Sequence, residues 1–335
     1  MLSAIVNTTL SDDVFREDET TLAFERQMSE TCGHEDGAFV ITGTMANQLA
    51  LRTLLPQPPC SILADARAHI IHFEAGGAAF SGAMVHGVRP MNGLYLTLAD
   101  IEKHAVLTDD VHKCPTAVVS VEAPAAGNII PLDEFRKISM WTHDHGVALH
   151  MDGARLFEAV AAGGGSLYDY ASVCDMVSLD FSKNLGAPMG AMLLGSTELV
   201  HRARRVRKAV GGGMRQAGVL AAAAREAVAE HFGSGPWGSI DQRQRLLAVH
   251  KNAKLLGKVW TNQGGRLLRP VETNMIWVDL DAAGYDADHW RQLGIKHGVK
   301  LENNKRVVLH RQISEEAMKR LMKVFEEVLR ARSKL

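Results

Sequence analysis

The sequence is poor in the features that mark metal clusters, disulfide scaffolds, membrane proteins and nucleic-acid binders. Its four cysteines (Cys32, Cys60, Cys114 and Cys174) are far apart and never form a CxxC pair. That spacing excludes a zinc cluster and a disulfide framework, and fits reduced, buried thiols. No Asp, Glu or His spacing asks for a catalytic metal. No run reaches the roughly 18 apolar residues of a membrane span. The opening stretch MLSAIVNTTLSDDVF lacks a basic segment followed by a long apolar one, so the expected location is cytoplasmic. Lys and Arg number 37 against 38 Asp and Glu, for a net charge of −1. No overall field therefore favours nucleic acid or an acidic membrane as partner. Repeats and low-complexity tracts are also lacking.

What is present is enough for a large core. The 335 residues are 46% hydrophobic, which allows one large domain or two. Short apolar runs alternate with amphipathic segments from about residue 37 to 195. The runs are AFVIT (38–42), SILAD (61–65), TAVVSVE (116–122), VALHMD (147–152), MVSLDFS (176–182) and GAMLLG (190–195). Between them lie helical patterns such as TMANQLALRTLL and PLDEFRKISMWTHDHG. Runs apolar on both faces predict a mostly parallel sheet covered by helices on each side. Past Gly195 the pattern is helical to about residue 262, interrupted by the turn-rich GSGPWGS (233–239). TNMIWVDL (273–280), RVVLH (306–310) and a last helix from Ser314 then suggest a smaller C-terminal α/β domain.

Ligands of parallel sheets bind at the carboxyl ends of the strands, and several polar residues fall there. Asp152 ends VALHMD and Arg155 follows three residues later. Lys183 ends the next run. Gly43 and Thr44 open the helix after AFVIT, where backbone N–H groups and a hydroxyl suit a phosphate. Singly, each has a plainer reading: Asp152 as a helix cap, Gly43-Thr44 as an ordinary turn. A lysine in an apolar strand is harder to dismiss, because burying an unpaired ammonium is costly. Together they fit a ring with a cationic nitrogen, a phosphate and an aldehyde for the lysine, which describes pyridoxal 5'-phosphate.

The blocks TGTMANQLALR, EAGGAAFSG, HMDGARLFEA, DFSKNLGAPMGAMLLG and RRVRKAVGGGMRQAGVLAAA closely resemble the low-specificity threonine aldolase family. The resemblance runs from about Ser11 to the C-terminus. It implies the aspartate-aminotransferase fold, with a mostly parallel seven-stranded sheet between helices in a large domain (1–240, including an N-terminal segment 1–30). A small C-terminal domain (241–335) follows. By the same resemblance Lys183 forms the Schiff base, Asp152 pairs with the pyridine nitrogen and Arg155 contacts the phenolic oxygen. Gly43 and Thr44 bind the phosphate, and His69 stacks on the ring. Lys208 and Arg215 reach the phosphate of a neighbouring subunit, in homotetramers built as dimers of dimers. A solvated face accounts for His201, Arg202, Arg204, Arg205 and Arg207. His112 lies near the substrate hydroxyl, and His69 and His112 are the candidate bases. Arg306 grips the substrate carboxylate, with Arg311 as competitor.

The implied reaction is retro-aldol cleavage of L-threonine or L-allo-threonine to glycine and an aldehyde. The sequence also departs from the family. The chain starts after the family's RSDTVTxPT arm, which is either cut away or replaced in its role, Phe15 stands where a tyrosine is usual, and Ala123-Pro124 replace Asn-Thr after Glu122. These losses leave the cofactor residues intact but thin the hydroxyl-binding groups, so an alanine racemase of the same family is the alternative.

Overall fold

The computed structural model describes residues 1–233, 240–302 and 305–332, and most of the GSGPWGS turn lies outside them. The chain divides into two units, one of Met1–Ala125 with Ile130–Arg243 and one of Ala126–Ile129 with Gln244–Leu335.

In the first unit seven strands form one sheet: β1 (Asp36–Val40), β2 (Ser61–Asp65), β3 (Met84–Val88), β4 (Thr116–Glu122), β5 (Ala148–Gly153), β6 (Met176–Asp180) and β7 (Ala191–Gly195). Their order is β1-β7-β6-β5-β4-β2-β3. Neighbours from β6 through β3 pair in parallel, whereas β7 runs antiparallel to both β1 and β6. This is the mostly parallel, seven-stranded sheet the sequence leads one to expect. β6 and β7 are buried at every position, which is why they read as unbroken apolar runs. β3 escapes sequence reading because it is an edge strand in which only Val88 is buried. The sheet's helices include Gly43–Leu54, whose N-terminus is fixed by the Thr42 hydroxyl accepting from the Met45 N–H at 3.1 Å. Cys32, Cys60 and Cys174 are buried free thiols, but Cys114 is only half-buried.

The basic helix Thr197–Ala209 corrects the sequence reading. Val200, Ala203 and Arg207 are buried at a spacing of three and four residues, so one arginine belongs to the inner face. Arg207 donates to the Phe39 carbonyl at 2.6 Å and to Asp13 at 2.9 Å. Arg204 donates to Asp36 at 2.6 Å and to the buried Glu25 at 2.8 Å. These two arginines are structural anchors rather than members of a solvated face, because acidic residues far away in sequence supply their partners.

In the second unit β8 (Met275–Trp277) and β9 (Arg306–Val308) pair antiparallel, shorter than the runs read from sequence. Helices Ile240–Asn262, Ala287–Lys296 and Glu315–Arg332 accompany them. The Phe325 ring lies 5.3 Å from that of Trp260 and 5.8 Å from that of Trp290. Residues 126–129 join this unit through the Thr273 hydroxyl on the Gly127 carbonyl at 2.8 Å and the Trp277 indole on the Ala126 carbonyl at 2.9 Å. No helix among the described residues is long and apolar enough to cross a membrane.

Candidate active site

Three adjacent parallel strands bring carboxylates to one end of the sheet. Glu122 on β4 is in register with Asp152 on β5, and Asp152 with Ser178 on β6; Asp180 ends β6. The strand stops there, three residues short of the lysine that sequence reading placed at its end. Asp180 Oδ1 accepts from the N–H and the hydroxyl of Ser182, both at 2.7 Å. This local turn folds the chain back and sets Lys183 Nζ 3.7 Å from Asp180 Oδ2. Gly43 makes room for it, since a Cβ there would stand 3.1 Å from the same carboxylate oxygen.

The electrostatics suit a reactive amine. Burial and then the Arg155 guanidinium push Lys183 below the ordinary lysine value, against the pull of Asp152, Asp180 and Glu122. Asp152 is buried, which disfavours its charge. The Lys183 cation, the Ala154 N–H at 3.0 Å and the Asn47 amide at 2.8 Å overcome that cost and hold the carboxyl below its usual range. Glu122 moves the other way, raised by desolvation and by the Asp152 charge, although its oxygen accepts the His69 N–H. Two facing carboxyls thus separate into one charged and one readily protonated group.

His69 opens the short helix His69–His72 after β2. Its Nδ1 is 2.8 Å from Glu74 Oε1, and its side chain is 40% exposed. The Glu74 bond raises its proton affinity above that of an ordinary histidine, with burial opposing. Glu74 also accepts from Asn47 at 2.8 Å and from Gln48. Ligand atoms of His69, Glu74 and Asp152 lie within 4.8 Å of one another. The Asn47 amide accounts for that closeness, and a cation would have to displace its N–H donors.

The other sequence-derived candidates are carried by further elements. Thr44 stands beside Gly43 in the first turn of the helix Gly43–Leu54, where N–H groups lack intrahelical partners. His112 is on a loop with its side chain 88% exposed, bonded to Asp110 at 3.0 Å. Lys208 is in the last turn of the helix Thr197–Ala209. Arg215 is 73% exposed, 3.5 Å from Asp12. Between them Gly211 has φ +81°, a conformation that glycine adopts without strain. Arg306 opens β9, its guanidinium 5.9 Å from the Trp277 ring centre.

Sequence reading missed Asn47, Glu74, Asp180 and His150. The signal for Asp180 is its position three residues before Lys183, one helical turn's reach in a tight bend. His150 is two residues before Asp152, so both point to the same face of β5. It is fully buried between Ser120, 2.9 Å from Nδ1, and Ser178, 3.3 Å from Nε2. Burial pushes it down to about 4. Because the folded state binds this proton more weakly than the unfolded chain, the contribution is complete above about pH 6.5 and lost as pH falls toward 4. His150 should therefore subtract about 3 kcal/mol from stability between pH 7 and pH 4. Urea unfolding of the protein and of His150→Gln at both pH values checks this. Equal losses in the two proteins would remove His150 as the cause.

Residues 1–283 match the family described as beta-eliminating lyase. The alanine racemase TOXG of Cochliobolus carbonum is 54% identical over 332 residues, 99% of this chain and 84% of the relative. The aldolase vrtJ of Penicillium aethiopicum is 49% identical over 330 residues, 98% of this chain and 82% of the relative. The low-specificity L-threonine aldolase of Candida albicans is 41% identical over 328 residues, with 97% and 84% covered. Among solved structures, the threonine aldolase of Leishmania major superposes with a TM-score of 0.78 at 20% identity, over 98% of this chain and 94% of that one. The aspartate aminotransferase of Thermus thermophilus gives 0.74 at 13% identity, over 98% and 87%.

Proposed function

We propose a function from one premise: this chain belongs to the beta-eliminating lyase family. It is a pyridoxal 5'-phosphate-dependent enzyme with the aspartate-aminotransferase fold. Its reaction is aldehyde-lyase chemistry, the cleavage of L-threonine and L-allo-threonine to glycine and an aldehyde. The observation that carries this reading is the Lys183 amine, held below its ordinary value in the turn after β6 and facing Asp152, which keeps its charge.

The residues present fit the cofactor. Gly43 leaves space beside Asp180 that any side chain would fill, and the first-turn N–H groups at Gly43 and Thr44 suit a phosphate. When bound, the cofactor supplies an aldehyde for Lys183 and a ring that draws electrons from the substrate's α-carbon. Asp152, fixed at both oxygens by Asn47 and the Ala154 N–H, would hold a proton on the ring nitrogen. Arg155 would offer donors to the ring's phenolic oxygen. His69 would stack on the ring, and its strengthened basicity suits it to take the β-hydroxyl proton. His112 is the second candidate for that proton. Arg306 binds the substrate carboxylate through its forked donors. Lys208 and Arg215 serve the phosphate site of a neighbouring subunit in a homotetramer, for which their place at the helix end and the glycine turn is suited. A cytoplasmic location fits the sequence composition.

One observation favours a second reading, alanine racemisation. Ala123 is buried and, with Pro124, follows Glu122 at the end of β4, so apolar groups stand where a β-hydroxyl would seek donors. Racemisation needs only loss and return of the α-proton. Incubation with L-threonine and L-allo-threonine should release glycine and acetaldehyde about 10³-fold or more faster than the Lys183→Ala variant. Absence of aldehyde, with conversion of L-alanine to D-alanine, would replace the aldolase reading by the racemase.

A further inference from the structure

We propose that Asn47 and Glu74 are positioning residues: the Asn47 amide bridges two buried carboxylates, and Glu74 so held fixes the His69 proton on Nδ1, leaving Nε2 as the proton-exchanging atom. The inference rests on the reading of the site above and extends it to residues that do not touch the substrate. Asn47 is 2% exposed. Its Nδ2 donates to Glu74 Oε1 and to Asp152 Oδ2, both at 2.8 Å, which uses both of its N–H bonds. Its Oδ1 is buried without a partner. A buried orphan acceptor costs stability, so the amide must gain more from its present orientation than it loses. Turned over, Oδ1 would face the two carboxylates and the donors would point away. The orphan is therefore the mark of an amide held between two anions.

Glu74, itself buried, accepts from the amides of Asn47 and Gln48 and lies 2.8 Å from His69 Nδ1. A carboxylate with that set requires N–H on Nδ1 of His69. The charged and titratable groups bearing on His69 and Glu74 are Asp152, Lys183, Glu122 and His150. Of these, Asp152 and Glu122 are acidic, Lys183 is the cation and His150 is neutral, so the bond to Glu74 dominates. Asn47 lets Asp152 stay ionised beside a second buried carboxylate and keeps the Glu74 oxygen aimed at the histidine.

Long-range 1H–15N spectra of the full chain with its cofactor test this, with the His69 signals assigned through His69→Gln. The neutral His69 ring should be the Nδ1–H tautomer, the minority form in free histidine. In Glu74→Gln, a near-isosteric change that preserves folding, its titration midpoint should fall by about one pH unit or more, a tenfold loss of proton affinity. In Asn47→Leu, which touches no atom of His69, the tautomer should become mixed. A wild-type Nε2–H tautomer, or spectra unmoved by both substitutions, would overturn the proposal. Cofactor absorbance of the same samples reports separately on the functional reading, since loss of colour without a tautomer change speaks against that reading and not against the bridge.

Discussion

Truncating Lys183 to alanine is expected to lower turnover of L-threonine by about 10³-fold or more while leaving the fold unchanged. The side chain lies in a turn after β6 and is 30% exposed, so its removal opens no core cavity. The Ser182 bonds to Asp180 that shape the turn involve no lysine atom. What disappears is the amine held below its ordinary value by burial and Arg155. Arginine should not restore activity, because a guanidinium stays protonated at any working pH and cannot act as a nucleophile. Steady-state rates together with thermal unfolding check both halves of the expectation. A variant within tenfold of wild type would dismiss Lys183 as the catalytic amine. The shared-site proposal is tested with the same chain: mixed with inactive Arg215→Ala and allowed to exchange subunits, it should recover part of the activity. No recovery after proven exchange would place Arg215 outside the neighbour's site.

The parts of this molecule that sequence discloses are those set by local pattern. β2 and β4 fall where their apolar runs predict, because strands buried on both faces have no polar interruption to blur their ends. Lys183 and Asp152 stand out because a cation and an anion conflict with the apolar runs just before them. The residues that escaped notice all depend on partners brought together by the sheet. Asn47 and Asp152 are 105 positions apart, and Asn47 and Glu74 are 27. Nothing beside Asn47 in the chain distinguishes it from an ordinary polar residue of an amphipathic helix. Likewise Ser120, His150 and Ser178 form one buried row only because β4, β5 and β6 are adjacent in the sheet. Arg207 is the clearest case. In sequence it is one of several cations on a basic helix, and only the inward turn of that face shows that it is buried.

That burial makes Asp13 and Arg207 the pair whose disruption should cost the most stability. Their side chains are 3% and 5% exposed, with Nη2 2.9 Å from Asp13 Oδ2. Arg207 Nη1 donates to the Phe39 carbonyl on β1. Asp13→Ala leaves a buried cation without its counter-charge, and about 3–5 kcal/mol should be lost. Asp13→Leu with Arg207→Met removes both charges at similar volume and should cost less than Asp13→Ala alone, because no ion is left stranded. A double-mutant cycle of urea unfolding, with Asp13→Leu and Arg207→Met as its two single variants, separates the pair energy from the packing loss. A cost for Asp13→Ala below about 1 kcal/mol would mean that water reaches the guanidinium and the pair behaves as a surface bridge. The same residue also meets a later segment, because the Asp13 N–H donates to the Arg215 carbonyl at 2.8 Å. Asp13 thus anchors both the basic helix and the segment that carries Arg215.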